Sequence, residues 1–191
     1  MKKIIIVCLI LAVVSSFLYG CKEEGKEEFE YIDSNGTSFF DIEGKGVELW
    51  FNQWYMYIDE EGHIYQKNTE FMINGKSYQH GLGINGLTDD GKDLREFSFI
   101  KYKILQGQYS EVRGIFGFDD RTKVKSDAKL TVYADDKKIF ESPVINSKVN
   151  SINIKVPLLN NVSTISFRID FHTVNGVTPK IILADLEAKK R

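Results

Sequence analysis

Trp50, Trp54, Tyr55 and Tyr57 crowd into one short segment with the amides of Asn52 and Gln53. Flat rings beside paired donors and acceptors are the chemistry of sugar recognition, in which a ring stacks under a pyranose face and an amide grips its hydroxyls. The two tryptophans, an even number of residues apart, would also share one face of a strand and serve as core. Asp119 and Asp120 are adjacent carboxylates at the close of an apolar strand. They either ligate a structural Ca²⁺, which takes oxygen ligands, or cap a turn; no other cofactor is expected. His172 opens a polar loop with Thr173, Asn175 and Gly176. Arg95 and Arg168 are candidate donors to ligand hydroxyls and equally candidates for salt bridges. His80 and His63 read as surface residues. The chain has no Gly-x-Ser-x-Gly elbow, His-Glu-x-x-His helix, P-loop or cysteine nucleophile, so a catalyst is not expected.

A different chemistry belongs to Cys21. Lys2 and Lys3 give a positive start, Ile4 to Val14 an apolar run, and Ser15 to Gly20 a lead into the cysteine, the layout of a secretory leader. The apolar run falls short of the roughly 20 residues a spanning helix needs. Leu18-Tyr19-Gly20-Cys21 resembles the bacterial lipobox, which implies a leader over residues 1–20 and a lipidated Cys21. Cys8 lies inside the leader, so the mature chain would keep one cysteine and no intramolecular disulfide. Each buried methylene of an acyl chain is worth about 0.8 kcal/mol, and several chains on one residue give lasting attachment to membrane lipid. The expected location is extracytoplasmic, anchored to the cell membrane or the outer membrane. The tract Lys22 to Glu30 is dense in charge and reads as a solvated tether, within residues 21–38; it also resembles acidic runs that sort lipoproteins to the surface.

Residues 39–191 are one domain long and enough to bury a core. With 25 basic and 27 acidic residues there is no basic stripe to bind nucleic acid. Ser151 to Pro157 and Thr164 to Phe171 alternate apolar and polar, the mark of half-buried antiparallel strands. Further strands fit Val47 to Tyr57, Phe97 to Ile104, Val112 to Phe118, Leu130 to Ala134 and Lys138 to Glu141. Asp135 to Lys137 turn a hairpin, as do Asn74 and Gly75, which tolerate positive φ. Ile181 to Ala188 fits a strand or a short helix. The expectation is an all-β domain, an antiparallel β-sandwich or jelly roll.

Three blocks in order, Phe71-Met-Ile-Asn-Gly-Lys-Ser-Tyr-Gln-His-Gly-Leu-Gly-Ile84, Gly114-Ile-Phe-Gly-Phe-Asp-Asp120 and Leu130-Thr-Val-Tyr-Ala-Asp-Asp-Lys-Lys-Ile-Phe-Glu-Ser142, resemble the NPCBM family of carbohydrate-binding modules. The resemblance covers about Leu49 to Leu186. It implies a galactose-binding-like sandwich, often appended to glycoside hydrolases, that binds galactose-type sugars through loops at one end. Where that family carries a histidine this chain has Asn85, and where it often carries Asp-His-Ala-Asp-Trp this chain has Pro179-Lys-Ile-Ile-Leu183. The sequence thus leaves two readings: a lipid-anchored module with a glycan partner, or a lipoprotein that keeps the sandwich and binds a cell-envelope protein. The site residues expected for the first are Trp50, Trp54, Tyr55, Asn85, Arg95 and His172.

Overall fold

Side chains that alternate along a strand bury one face only, so each sheet of such strands must find a second layer. The computed structural model describes residues 27–32, 39–44, 48–58, 64–85, 94–146 and 148–191, and among them every regular element is a strand. One six-stranded antiparallel sheet runs β14 (Ser151–Pro157), β10 (Tyr109–Phe118), β16 (Ile181–Lys190), β8 (Gly81–Asn85) and β3 (Glu48–Phe51), with β1 (Phe29–Tyr31) also paired to β16. The other runs β12 (Lys137–Glu141), β11 (Asp127–Ala134), β15 (Thr164–Thr173), β9 (Leu94–Lys103) and β2 (Phe39–Gly44), with β13 (Ile145–Asn146) paired to β11. Val112, Phe116, Ile154 and Leu183 from the first meet Ile100, Leu130, Phe167 and Phe171 from the second in one buried core. This is the β-sandwich that the alternation predicts, and Ile181–Lys190 is a strand.

The first sheet has a second apolar layer on its outer side. The hairpins β4 (Trp54–Ile58) with β5 (Ile64–Thr69) and β6 (Phe71–Ile73) with β7 (Lys76–Tyr78) contribute Trp54, Phe71, Ile73 and Tyr78, which pack on Ile182 and Ala184. Gly83 allows this approach, because a Cβ there would lie 2.7 Å from the Phe71 ring and 2.8 Å from that of Trp54. The single strand expected over Val47 to Tyr57 is therefore two. Asn52, at φ 65°, breaks it and sends Trp54 out of the large sheet into the covering layer.

The charged tract also departs from expectation. From Glu27 onward it is part of the fold: β1 pairs with β16 in the register Phe29↔Lys189 and Tyr31↔Glu187. Lys189 holds Glu27, Lys190 reaches Glu28 at 2.6 Å, and Arg113 lies 3.4 Å over the Phe29 ring. The tract enters beside Arg191, whose amide bonds to Gln108 and whose guanidinium bonds to Leu158. At the opposite end of the sandwich lie the ends of β8, β10 and β15, as the pairings Ile84↔Ile181, Phe118↔Ile181 and Leu94↔Thr173 require.

Candidate functional site

The loop end brings together Asp119 and Asp120 just past β10, Arg95 near the start of β9, His172 near the end of β15, and Asn85, which ends β8 opposite Glu48. The antiparallel topology does this: segments scattered over 88 positions of sequence (85 to 172) finish at one edge of the two sheets. Trp50 and Trp54 lie on the outer face of the first sheet, where Trp54 reaches Asp119 alone of these residues through its indole N–H, and Tyr55 follows in β4. Cys21 and the leader fall outside the described residues, as does His63.

Trp54 is 2% exposed and packs edge-on against Phe71, with ring centroids 5.0 Å apart. Its faces are closed to a sugar, so it is core, one of the two roles its spacing permits. Trp50, half-buried, stands opposite Gly83 and packs on the same cluster.

The carboxylate pair holds the covering layer to the sandwich. Asp119, 1% exposed, accepts from Trp54 Nε1 at 2.8 Å, from the Met72 amide at 3.3 Å, and from Arg121 Nε at 2.7 Å and a terminal guanidinium nitrogen at 2.6 Å. Asp120 accepts from the amides of Asn74 and Gly75 at 2.8 and 2.7 Å, capping a turn in which both residues have positive φ. The expected Ca²⁺ ligands thus spend their oxygens on protein donors, and among the described residues no group of three or more metal-ligating side chains forms. Sequence reading misses Arg121, the cation that makes burial of Asp119 tolerable.

Arg95 grips Asp127 with both terminal nitrogens, at 2.5 and 3.1 Å, on the outer face of the second sheet. His172 is its register partner, and the His172 carbonyl accepts from the Ser126 hydroxyl. Of Arg95's two expected roles, the salt bridge is therefore in place. Between Asp120, Lys123, Lys125 and Asn150 lies a depression of about 230 Å³. Lys180 sits beside it, 5.6 Å over the Trp54 ring. Burial holds its ammonium below the usual lysine range, while Asp119 pulls it back up. A larger groove, about 410 Å³, runs along the outer face of the first sheet past Arg113, Asn153 and Asp185. Asp185 lines this groove where the apolar phase of β16 slips, a position that no local motif marks.

A family model described as "NPCBM/NEW2 domain" matches residues 33–184. Among solved structures, CBM51 from Clostridium perfringens GH95, determined in complex with methyl-galactose, aligns with a TM-score of 0.56 at 16% identity, over 84% of this chain and 99% of that one. The tandem CBM51 modules of Sp3GH98 from Streptococcus pneumoniae align at 0.53 and 15% identity, over 86% of this chain and 48% of theirs. CBM51-2 with the INT domains of Clostridium perfringens ZmpB aligns at 0.54 and 14%, over 85% and 32%. This chain thus spans less than half of each of the latter two. At these identities the likeness is one of fold. No curated protein matches the chain.

Proposed function

Because the chain belongs to the NPCBM/NEW2 domain family, we propose that it is a carbohydrate-binding lipoprotein, lipid-anchored through Cys21 outside the cytoplasm and holding galactose-type glycans near the cell. The observation that carries this reading is the family match over residues 33–184. A sandwich aligned with nearly the whole of a module solved with methyl-galactose supports it. Such modules bind without catalysing, although those neighbours come from enzymes. The anchor rests on the leader and the Leu18-Tyr19-Gly20-Cys21 tetrad.

The entry point of the chain would set the orientation of such an anchor. Five residues separate Cys21 from Glu27, and Glu27 docks at the end of the sandwich away from the loop end. Leu105 and Leu159, 72% and 74% exposed, lie in connections at that same end. They would face the bilayer while the loop end points outward. A glycan array probed with the full-length chain in detergent tests the binding. Saturable capture on galactose-type glycans is expected, and absence of capture by folded protein refutes the proposal.

The alternative is a lipoprotein whose sandwich binds a cell-envelope protein. It is favoured by one observation: the expected sugar platform at Trp54 and the expected metal ligands are consumed by internal packing. Under this reading, pull-down from the envelope recovers a protein partner and the array stays empty.

A further inference from the structure

The inward residues of β16 run Ile181, Leu183 and then Leu186, Ala188, a one-residue slip that falls between the pairs Arg113↔Glu187 and Ile115↔Ala184. Asp185 absorbs it at φ 44°, in the left-handed region that most side chains avoid and that aspartate and asparagine enter more readily. Gly114 makes room, since a Cβ there would lie 3.0 Å from the Ala184 carbonyl oxygen. The Asp185 amide donates to the His80 carbonyl at 3.0 Å. Here β16 also changes partner, from β8, which ends at Ala184↔Gly81, to β1, which begins at Tyr31↔Glu187. Bulges of this kind re-aim side chains and gather near functional sites.

Asp185 lines the 410 Å³ groove, a volume in the range of small-ligand pockets. The other charges there are already matched: Lys155 holds Glu111 at 3.2 Å and Arg113 holds Glu187 at 2.7 Å. Among the described residues the Asp185 carboxylate accepts no side-chain hydrogen bond, although the charges of Lys76 and His80 act on it. An ionised carboxylate only accepts, so its ligand must bring donors. Three carboxylates and two cations line the walls, and an acidic group placed against the Asp185 carboxylate would meet a like charge. Exposed Asn153 adds an amide on the β14 side. On the β1 side Tyr31, 38% exposed, stacks on His80 with centroids 3.8 Å apart and planes 12° apart. Tyr31 shares the outer face with Glu187, its register partner.

We propose that this groove is a glycan-binding site, in which Asp185 accepts hydrogen bonds from adjacent hydroxyls of a neutral sugar and the Tyr31–His80 pair offers the stacking face. The proposal rests on the reading that the chain binds glycans, and it locates the contact on the sheet face rather than in the loops. Asparagine tolerates the left-handed region, so Asp185→Asn preserves the bulge while removing the charge. Isothermal titration of the full-length chain with neutral methyl hexosides and with hexuronic acids is the test. Wild type should bind the neutral sugars better than the acids, and Asp185→Asn should weaken that binding about tenfold or more, with Tyr31→Ala also weaker and Asp185→Asn melting no lower than the wild type. Equal binding by Asp185→Asn overturns the groove and leaves glycan binding standing. Failure of wild type to bind any sugar overturns both. Should a variant misfold, amide NMR shifts of wild type on adding methyl galactoside decide: changes at Gly114, Asn153 and Asp185 support the groove, and changes confined to residues 122–126 and 174–178 overturn it.

Discussion

Asp119 and Asp185 show how differently two carboxylates in one chain are used. Asp119 is buried with Arg121 and receives the Trp54 N–H and the Met72 amide. Removing one partner of a buried charge pair leaves the other uncompensated, so Asp119→Ala should lower unfolding stability by about 3–5 kcal/mol in urea melts. Since its oxygens and those of Asp120 are occupied by protein donors, adding Ca²⁺ or chelator should leave the melting temperature unchanged; a calcium-dependent rise would contradict that assignment. Burial raises the Asp185 carboxyl above its ordinary range, opposed by Lys76, reinforced by Glu187 and opposed again by His80. The folded state therefore favours the proton more than the unfolded chain does. Stability from this group is complete below the unfolded carboxylate pKa and lost as pH rises through the folded one. Asp185→Asn should accordingly gain on wild type in thermal melts as the pH rises above about 4, by a small margin because the group is largely solvated. Adjacent aspartates in the sequence announce a strand end, but not their role, because the donors that decide it lie up to 65 positions away.

The covering hairpins are the element on which the architecture of the outer face depends. Gly83→Ala would drive a methyl into the Phe71 and Trp54 rings, and overpacking of this kind costs about 1–3 kcal/mol, measurable by denaturant unfolding. Much at this scale is legible in the residues. Thr164 to Thr173 alternates and is a central strand, and Asn74-Gly75 turns the hairpin its positive φ values suit. Three features are harder to read. Asn52 breaks an apolar run without a glycine or proline beside it. The slip from Leu183 to Leu186 is visible as a change of phase, yet a strand bulge and the start of a helix look alike over so few residues. β1 is hidden by its charge, because what docks it is pairing with Lys189 and Lys190 more than 150 positions later, and no local pattern records that. The loop-end convergence of Asn85, Arg95 and His172 follows from antiparallel topology, so it was open to sequence reading only through the family resemblance.

At the scale of the molecule, one sandwich takes up its N-terminal tract at one end and gathers its loops at the other, with a groove along its outer sheet. The anchor is tested by fractionation: Cys21→Ser should move the protein from the membrane to the soluble extracytoplasmic fraction, and unchanged membrane retention would contradict lipidation at Cys21. The charge, apolar run and cysteine of the proposed leader are legible because export machinery reads short linear segments, whereas a sugar site is assembled from distant strands. Asp185, Asn153 and Tyr31 come from β16, β14 and β1, and nothing in their spacing joins them. Glycan binding is the claim on which the rest depends, and direct titration of the folded full-length chain with methyl galactoside tests it most plainly. Saturable binding that weakens when the sugar is replaced by a uronic acid is expected; heats indistinguishable from dilution for every sugar, from protein shown to be folded by its near-ultraviolet dichroism, would contradict it.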